Sequence, residues 1–166
     1  FMLDAIKNRR SIRKYKSKPV PPEMVEEILQ AGFYAPTGRG VKPWHFVVVD
    51  DPAVLQEIMK IHPYMGMLKT APMAIIVCGD TALSSDLWTA DCAAATENIL
   101  LQAYELGLGT CWCGIEPNAS RMEAFSKLLG LPENMKAYSG IAVGFPDEEK
   151  PVPDRYDAKA VHRNHW

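Results

Sequence analysis

The segment from Ser84 to Leu106 constrains this chain most. It is the longest stretch with helical periodicity, and its Ala90, Ala93, Ala94 and Ala95 carry almost no side chain. Another helix or a second subunit can therefore approach it closely. Gly107 stops it and Gly109 follows, as glycine does beyond helix ends. Such a segment reads as the central helix, with the rest of the chain packed around it.

Short apolar runs stand on either side. His45 to Val49 and Met73 to Cys78 are β-branched and aromatic and read as buried strands. Thr110 to Gly114 reads as a short extended piece, and Tyr138 to Phe145 as another apolar strand. Pro52 to Ile61 places Val54, Leu55, Ile58 and Met59 on one side of a helix. Pro22-Glu23 opens another, with Val25, Ile28 and Leu29 on its apolar face and an end near Tyr34, before Pro36. Met2 to Asn8 reads as a short helix, and Asn118 or Ser120 caps one that runs to Leu129. Ala35 to Trp44, with two prolines and two glycines, reads as loop. Beyond Pro146 the chain turns polar and proline-rich, an extended tail in which Val161 and Trp166 need cover. A partner subunit offers it. No repeat or linker divides the chain, so residues 2–166 read as one domain, with Met2 as the native start.

A length of 166 residues is enough to bury a real core. No apolar run reaches the ~20 residues of a membrane helix, and no signal-like stretch follows the amino terminus. A net charge of −2, without a basic stripe interleaved with aromatics, argues against a nucleic-acid partner. Cys78, Cys92, Cys111 and Cys113 sit in apolar contexts and read as free thiols filling the core. That points to a reducing, cytoplasmic setting. Cys111 and Cys113 lack the second pair that a zinc knuckle needs.

Against this background Arg9, Arg10, Ser11, Ile12 and Arg13 stand out, with three guanidiniums and a hydroxyl in five residues. They fit a solvated basic turn or a targeting signal, or a site shaped for one anion, since forked guanidinium hydrogen bonds match phosphate oxygens. Other catalytic patterns are missing. There is no Gly-x-Ser-x-Gly elbow, no His-Glu-x-x-His and no P-loop. His45, His62, His162 and His165 are scattered without metal-ligand spacing and read as surface or packing residues. Asp86 and Asp91 are spaced i,i+5 and do not share a helix face.

Four segments in order resemble the FMN-dependent nitroreductases. They are Arg9-Arg10-Ser11-Ile12-Arg13; Ala35-Pro36-Thr37 followed by Pro43-Trp44-His45-Phe46-Val47; Asn98 to Ala103 followed by Gly107-Leu108-Gly109-Thr110-Cys111-Trp112; and the tail beginning Gly144-Phe145-Pro146. The resemblance covers essentially the whole chain, as a short member. It implies an α+β fold with a mixed, mainly antiparallel sheet among helices, and a homodimer whose extended carboxy-terminal tail packs on the partner. FMN would lie at the subunit interface, in two sites built from both chains.

By position, the resemblance gives Arg9, Ser11 and Arg13 contacts to the phosphate and ribityl chain, with Arg10 in the same loop. Arg155 would complete the phosphate grip. Pro153 stands where the family often has a second basic residue, which shifts weight to the amino-terminal arginines. Pro36, Thr37 and Gly38 match the stretch that the other subunit lays against the flavin. Gly40 stands where many members carry a ring-binding asparagine, and Lys42 where a glutamine is common. Cys113, Gly114 and Ile115 match the strand whose Gly114 amide faces flavin N5. No side chain is then required as acid or nucleophile, because hydride passes directly between nicotinamide and N5. Trp44 and Trp112 read first as packing. Tyr64, Met65, Met67 and Leu68 around Gly66 read either as core or as a mobile pocket wall. The activity implied is NAD(P)H oxidation coupled, by ping-pong hydride transfer, to reduction of a nitroaromatic or quinone-like acceptor. Reductive dehalogenation, flavin fragmentation, dehydrogenation, or non-catalytic flavin sensing are the alternatives.

Overall fold

Alternate residues of the strand Met73–Asp80 point into two different cores, and the architecture follows from that. In the computed structural model, which describes residues 1–166, the elements in order are α1 (Asp4–Asn8), α2 (Pro22–Phe33), β1 (Trp44–Val49), α3 (Pro52–Ile61), β2 (Met73–Asp80), α4 (Trp88–Glu105), β3 (Gly109–Gly114), α5 (Ala119–Leu129) and β4 (Met135–Gly144). Short 3-10 turns occupy Gly38–Gly40, Gly66–Lys69 and Ala158–Ala160. Met73, Ile75 and Val77 pack with Ile28 of α2 and with Ala95, Ile99 and Ala103 of α4. Ala74, Ile76 and Cys78 pack on the other side with Leu55 and Ile58 of α3 and Phe125 of α5. Each face of the sheet is thus covered by helices, and β2 is apolar at nearly every position rather than at alternate ones.

The strands run in the order β1-β2-β4-β3, and all three pairings are antiparallel. The expected mixed character is confined to one isolated parallel bridge, Ser11 with Thr110. The expected burial of His45–Val49 is only partial. Because β1 lies at the sheet edge, His45 and Val48 are exposed, while Trp44 and Val49 are covered.

The helix expected from Ser84 begins at Trp88 instead. The Asp80 carboxylate accepts the Ala82 and Leu83 amides at 3.0 and 3.2 Å, holding this stretch as a turn. Of the two capping candidates, Asn118 caps α5 by accepting the Arg121 amide at 2.9 Å. The tail beyond Lys150 is exposed throughout and extended apart from its one 3-10 turn, with the His162 and Trp166 rings stacked at 4.5 Å. No helix is long and apolar enough to cross a membrane.

Candidate active site

The arginine segment is fixed by its apolar members. Ile12 and Tyr15 are buried, the Ile12 amide donates to the Thr110 carbonyl at 2.9 Å, and Ser11 bridges to Thr110. The segment therefore runs beside β3 with its charged members available. Arg9 Nε lies 3.7 Å from Glu97 on α4. Arg10 donates from Nε to the Pro151 carbonyl and from Nη1 to the Lys7 carbonyl, both at 3.0 Å, which ties the start of the tail to this segment. Desolvation pulls the Arg10 guanidinium below its ordinary value, and repulsion from Arg155 and then Arg9 pulls it further. Arg9, Arg10 and Arg155 therefore form one group, whereas the sequence reading places Arg13 with them.

Arg13 belongs to a second group. Its backbone amide and that of Lys14 donate to Glu148 Oε2 at 2.6 and 3.1 Å, and those amides hold the Glu148 carboxyl below the usual range. The Arg13 guanidinium lines a cavity of about 670 Å³ with His62, Pro63, Tyr64, Gly66, Met67, Cys111, Trp112, Cys113, Gly114 and Arg121. No carboxylate lies within 4.0 Å of the Arg13 or Arg121 guanidinium, and the lining contains no acid. A larger hollow of about 860 Å³ opens between Ser17–Val25, α3 and Leu68–Met73, but it is lined by none of the expected site residues.

The wall of the smaller cavity is the free edge of β3. In an antiparallel strand the N–H and C=O of one residue point the same way, alternating along the chain. The Thr110 carbonyl faces Ile12, while the Ile115 amide faces Tyr138 on β4. Thr110, Trp112 and Gly114 therefore turn their amides and carbonyls away from β4. The Gly114 carbonyl accepts His62 Nε2–H at 2.8 Å and Arg121 Nη1–H at 3.0 Å, so the end of β3 is held from two sides.

His62 is the residue that sequence reading passed over. It is buried at the end of α3, with its ring edge-on to Phe125. Nδ1 accepts the Tyr64 amide at 3.1 Å, so the proton sits on Nε2, where it reaches Gly114. Burial, and after it the Arg121 charge, depresses its pKa, keeping the ring neutral. The Tyr64–Leu68 patch divides between its two readings. Met65 and Leu68 are core, whereas Tyr64, Gly66 and Met67 line the cavity. The Tyr64 backbone is held at both ends, its carbonyl receiving the Cys113 thiol at 3.6 Å.

All four cysteines are free and buried. Burial pushes Cys78 up to about 12. Cys111 is drawn down, because the Cys113 thiol, then Arg13 and the Ser11 hydroxyl, stabilise its charged form.

The stretch from Pro36 to Lys42 docks elsewhere, on the start of α4. The Gly38 amide donates to Asp91 Oδ1 at 2.9 Å, Thr37 Oγ1 accepts the Lys42 amide at 3.2 Å, and Arg39 pairs with Asp86 at 2.7 Å. Asp91 is buried and its second oxygen has no partner. A side chain at Gly38 would meet Leu87 Cδ1 at 2.3 Å, so only glycine fits unless Leu87 moves. Gly40 has φ +66°, with open space where a side chain would stand. Glycine and asparagine are the residues that accept this region most readily, so Gly40 meets a backbone requirement that an asparagine there would also meet. Of the expected site residues, the chain thus gathers Arg13, Cys113 and Gly114 at the cavity. Arg9, Arg10 and Arg155 lie together, Ser11 beside Thr110, and Pro36, Thr37, Gly38, Gly40 and Lys42 on α4. Ile115 is core.

Comparison with known proteins bears on the family of this fold. The model of the Nitroreductase family matches residues 6–62 and 60–145. A protein of Methanothermobacter thermautotrophicus named "Putative NADH dehydrogenase/NAD(P)H nitroreductase" is 42% identical over 99% of this chain and 87% of its own length. Among solved structures, the FMN-dependent nitroreductase of Clostridium difficile superposes with TM-score 0.93 at 34% identity, covering 99% of this chain and all of its own. The NADPH:FMN oxidoreductase of Vibrio harveyi, solved with NAD+, superposes with TM-score 0.86 at 26% identity, covering 98% of this chain and 76% of its own. With matches across nearly its whole length, this chain belongs to the Nitroreductase family.

Proposed function

We propose that residues 2–166 form a single FMN-dependent NAD(P)H oxidoreductase unit that reduces nitroaromatic or quinone-like acceptors in the cytoplasm. Family membership supplies the enzyme class, FMN as cofactor and NAD(P)H as co-substrate. The observation that carries the reading for this chain is the cavity against the free edge of β3, where the Gly114 amide points outward beside two guanidiniums unpaired with any acid. Such a donor set suits an electron-rich planar ring, with a backbone amide for its central nitrogen and a cation for the oxygen-bearing end.

When bound, FMN supplies the hydride chemistry, accepting two electrons from the nicotinamide and passing them to the acceptor. The chain's own residues hold and orient. Arg9, Arg10 and Arg155 grip the phosphate, Ser11 adds a donor, and Arg13 sits toward the ring. Gly114 presents its amide, with Cys113 and Ile115 fixing the strand on either side of it.

The stretch holding Pro36, Thr37, Gly38, Gly40 and Lys42 covers the flavin of a second copy, so that two chains make two sites. Support for that homodimer comes from exposed apolar side chains with no cover in one chain. Phe33 and Tyr34 stand just before Pro36, and Val152, Tyr156, Val161 and Trp166 lie along the tail. Free buried cysteines suit a reducing compartment. The test is anaerobic oxidation of NADH and NADPH by the FMN-loaded protein, followed by nitroaromatic, quinone and halo-aromatic acceptors. The expected result is one acceptor reduced per two electrons taken up, with nitro and quinone compounds fastest. Halo-aromatic turnover alone would contradict the assignment.

A further inference from the structure

The cavity holds one more cation than a flavin ring uses. A flavin ring carries at most one negative charge, which Arg13 alone would offset. Arg121 is then surplus, with His62 neutral and no acid in the lining. The charge of its own helix does not favour its position. Arg121 is the third residue of α5, in the first turn, where the positive end of the helix disfavours a cation. Its geometry is nevertheless fixed. Nη1 donates to the Gly114 carbonyl at 3.0 Å, and the guanidinium carbon stands 5.7 Å from the centre of the Tyr64 ring, itself largely exposed. One of five N–H donors is used in that bond, which leaves a flat, oriented fork on the cavity wall.

We infer that Arg121 selects acceptors bearing a carboxylate on a flat ring, by charge-assisted hydrogen bonding beside the Tyr64 face. The inference rests on the FMN reading above and names the substrate class of that site. A guanidinium already held by a carbonyl and an aromatic ring loses little freedom when it pairs, so its contribution to binding is retained.

The test compares 4-nitrobenzoate with 4-nitrobenzamide, matched in shape and differing in charge, on the FMN-loaded protein. Two quantities are read for each: the dissociation constant from the oxidised protein by calorimetry, and kcat/KM under saturating nicotinamide. General effects of a variant on folding or turnover cancel in the acid-to-amide ratio. The wild type is expected to favour the acid by about tenfold or more, as one charge-assisted bond would give. Arg121→Met should bring both ratios close to one, and Arg121→Lys should restore part of the preference, keeping the charge without the fork. An acid-to-amide ratio near one in the wild type would overturn the inference, as would a preference that survives Arg121→Met. So would an Arg121→Met variant that changes the NADPH-to-NADH ratio in place of the acid-to-amide ratio, since the anion recognised would then be the nicotinamide's phosphate. Failure of the FMN reading shows separately, as wild-type protein that takes up no flavin, and overturns both.

Discussion

Two groups of guanidiniums lie near β3, and they are held differently. In the outer group, Arg10 is tied to the carbonyls of Lys7 and Pro151, Arg9 stands near Glu97, and Arg155 and Arg9 repel Arg10. In the inner pair, Arg13 and Arg121 line a cavity that contains no acid and face the free edge of β3. Crowded cations that repel one another are relieved by a concentrated charge, as on a phosphate. Cations along a wall beside an outward backbone amide suit flat molecules whose charge is spread out, a flavin ring at Arg13 and its acceptor at Arg121. One segment of five residues feeds both groups, Arg9 and Arg10 to one and Arg13 to the other.

The sharpest way to break this comparison is to measure FMN beside riboflavin, which lacks the phosphate. Arg10→Ala with Arg155→Ala should weaken FMN binding by about 100-fold and leave riboflavin binding unchanged, as loss of two charged hydrogen-bonding groups implies. Equal losses for both flavins, in a fluorescence titration, would dissolve the distinction between outer and inner groups. Arg13→Ala has a smaller expected effect, about tenfold, and should weaken both flavins alike.

His62 sharpens the inner half through pH. Its folded pKa is depressed by burial, so the neutral ring contributes stability above the unfolded value of about 6.5. That contribution is lost as pH falls from about 6.5 through the lower folded value. Wild-type Tm should therefore drop more steeply below about pH 6.5 than that of His62→Gln, which should itself be less stable at neutral pH by about 1 kcal/mol. Parallel Tm profiles would show that His62 does not hold β3 as described. The smallest effect belongs to the stretch outside both groups. Gly40→Asn should change stability by less than about 0.5 kcal/mol, because the left-handed conformation accepts asparagine and the space is open. A loss of several degrees in Tm would contradict that.

The outer group was legible because Arg9 and Arg10 are adjacent in sequence and Arg155 follows the same order of motifs. Most elements were legible too. Pro52 to Ile61 has a proline start and one apolar face, and it forms that helix without a shift of boundary. The inner pair was harder to see. Arg121 stands alone in a polar helix, and its one signal is a cation in a first turn that prefers acids. His62 looks like any histidine after an amphipathic helix. Its role depends on Gly114, which the fold brings to it from another element. The turn from Asp80 was hidden because Ser84 to Asp86 carry no helix breaker, and the decision lies in the Asp80 carboxylate bonding to the next amides. The exposure of β1 is likewise a matter of strand order, which an apolar run does not encode.

The central claim, that β3 and the two arginine groups form a flavin site that nicotinamide reduces, is tested most directly by the visible spectrum of the purified protein during anaerobic NADH and NADPH titration. The expected result is a flavin band near 450 nm, present as isolated or after FMN addition, bleached by one equivalent of nicotinamide per chain. Protein that shows no such band even with FMN supplied, or a band that neither nicotinamide bleaches, would contradict it.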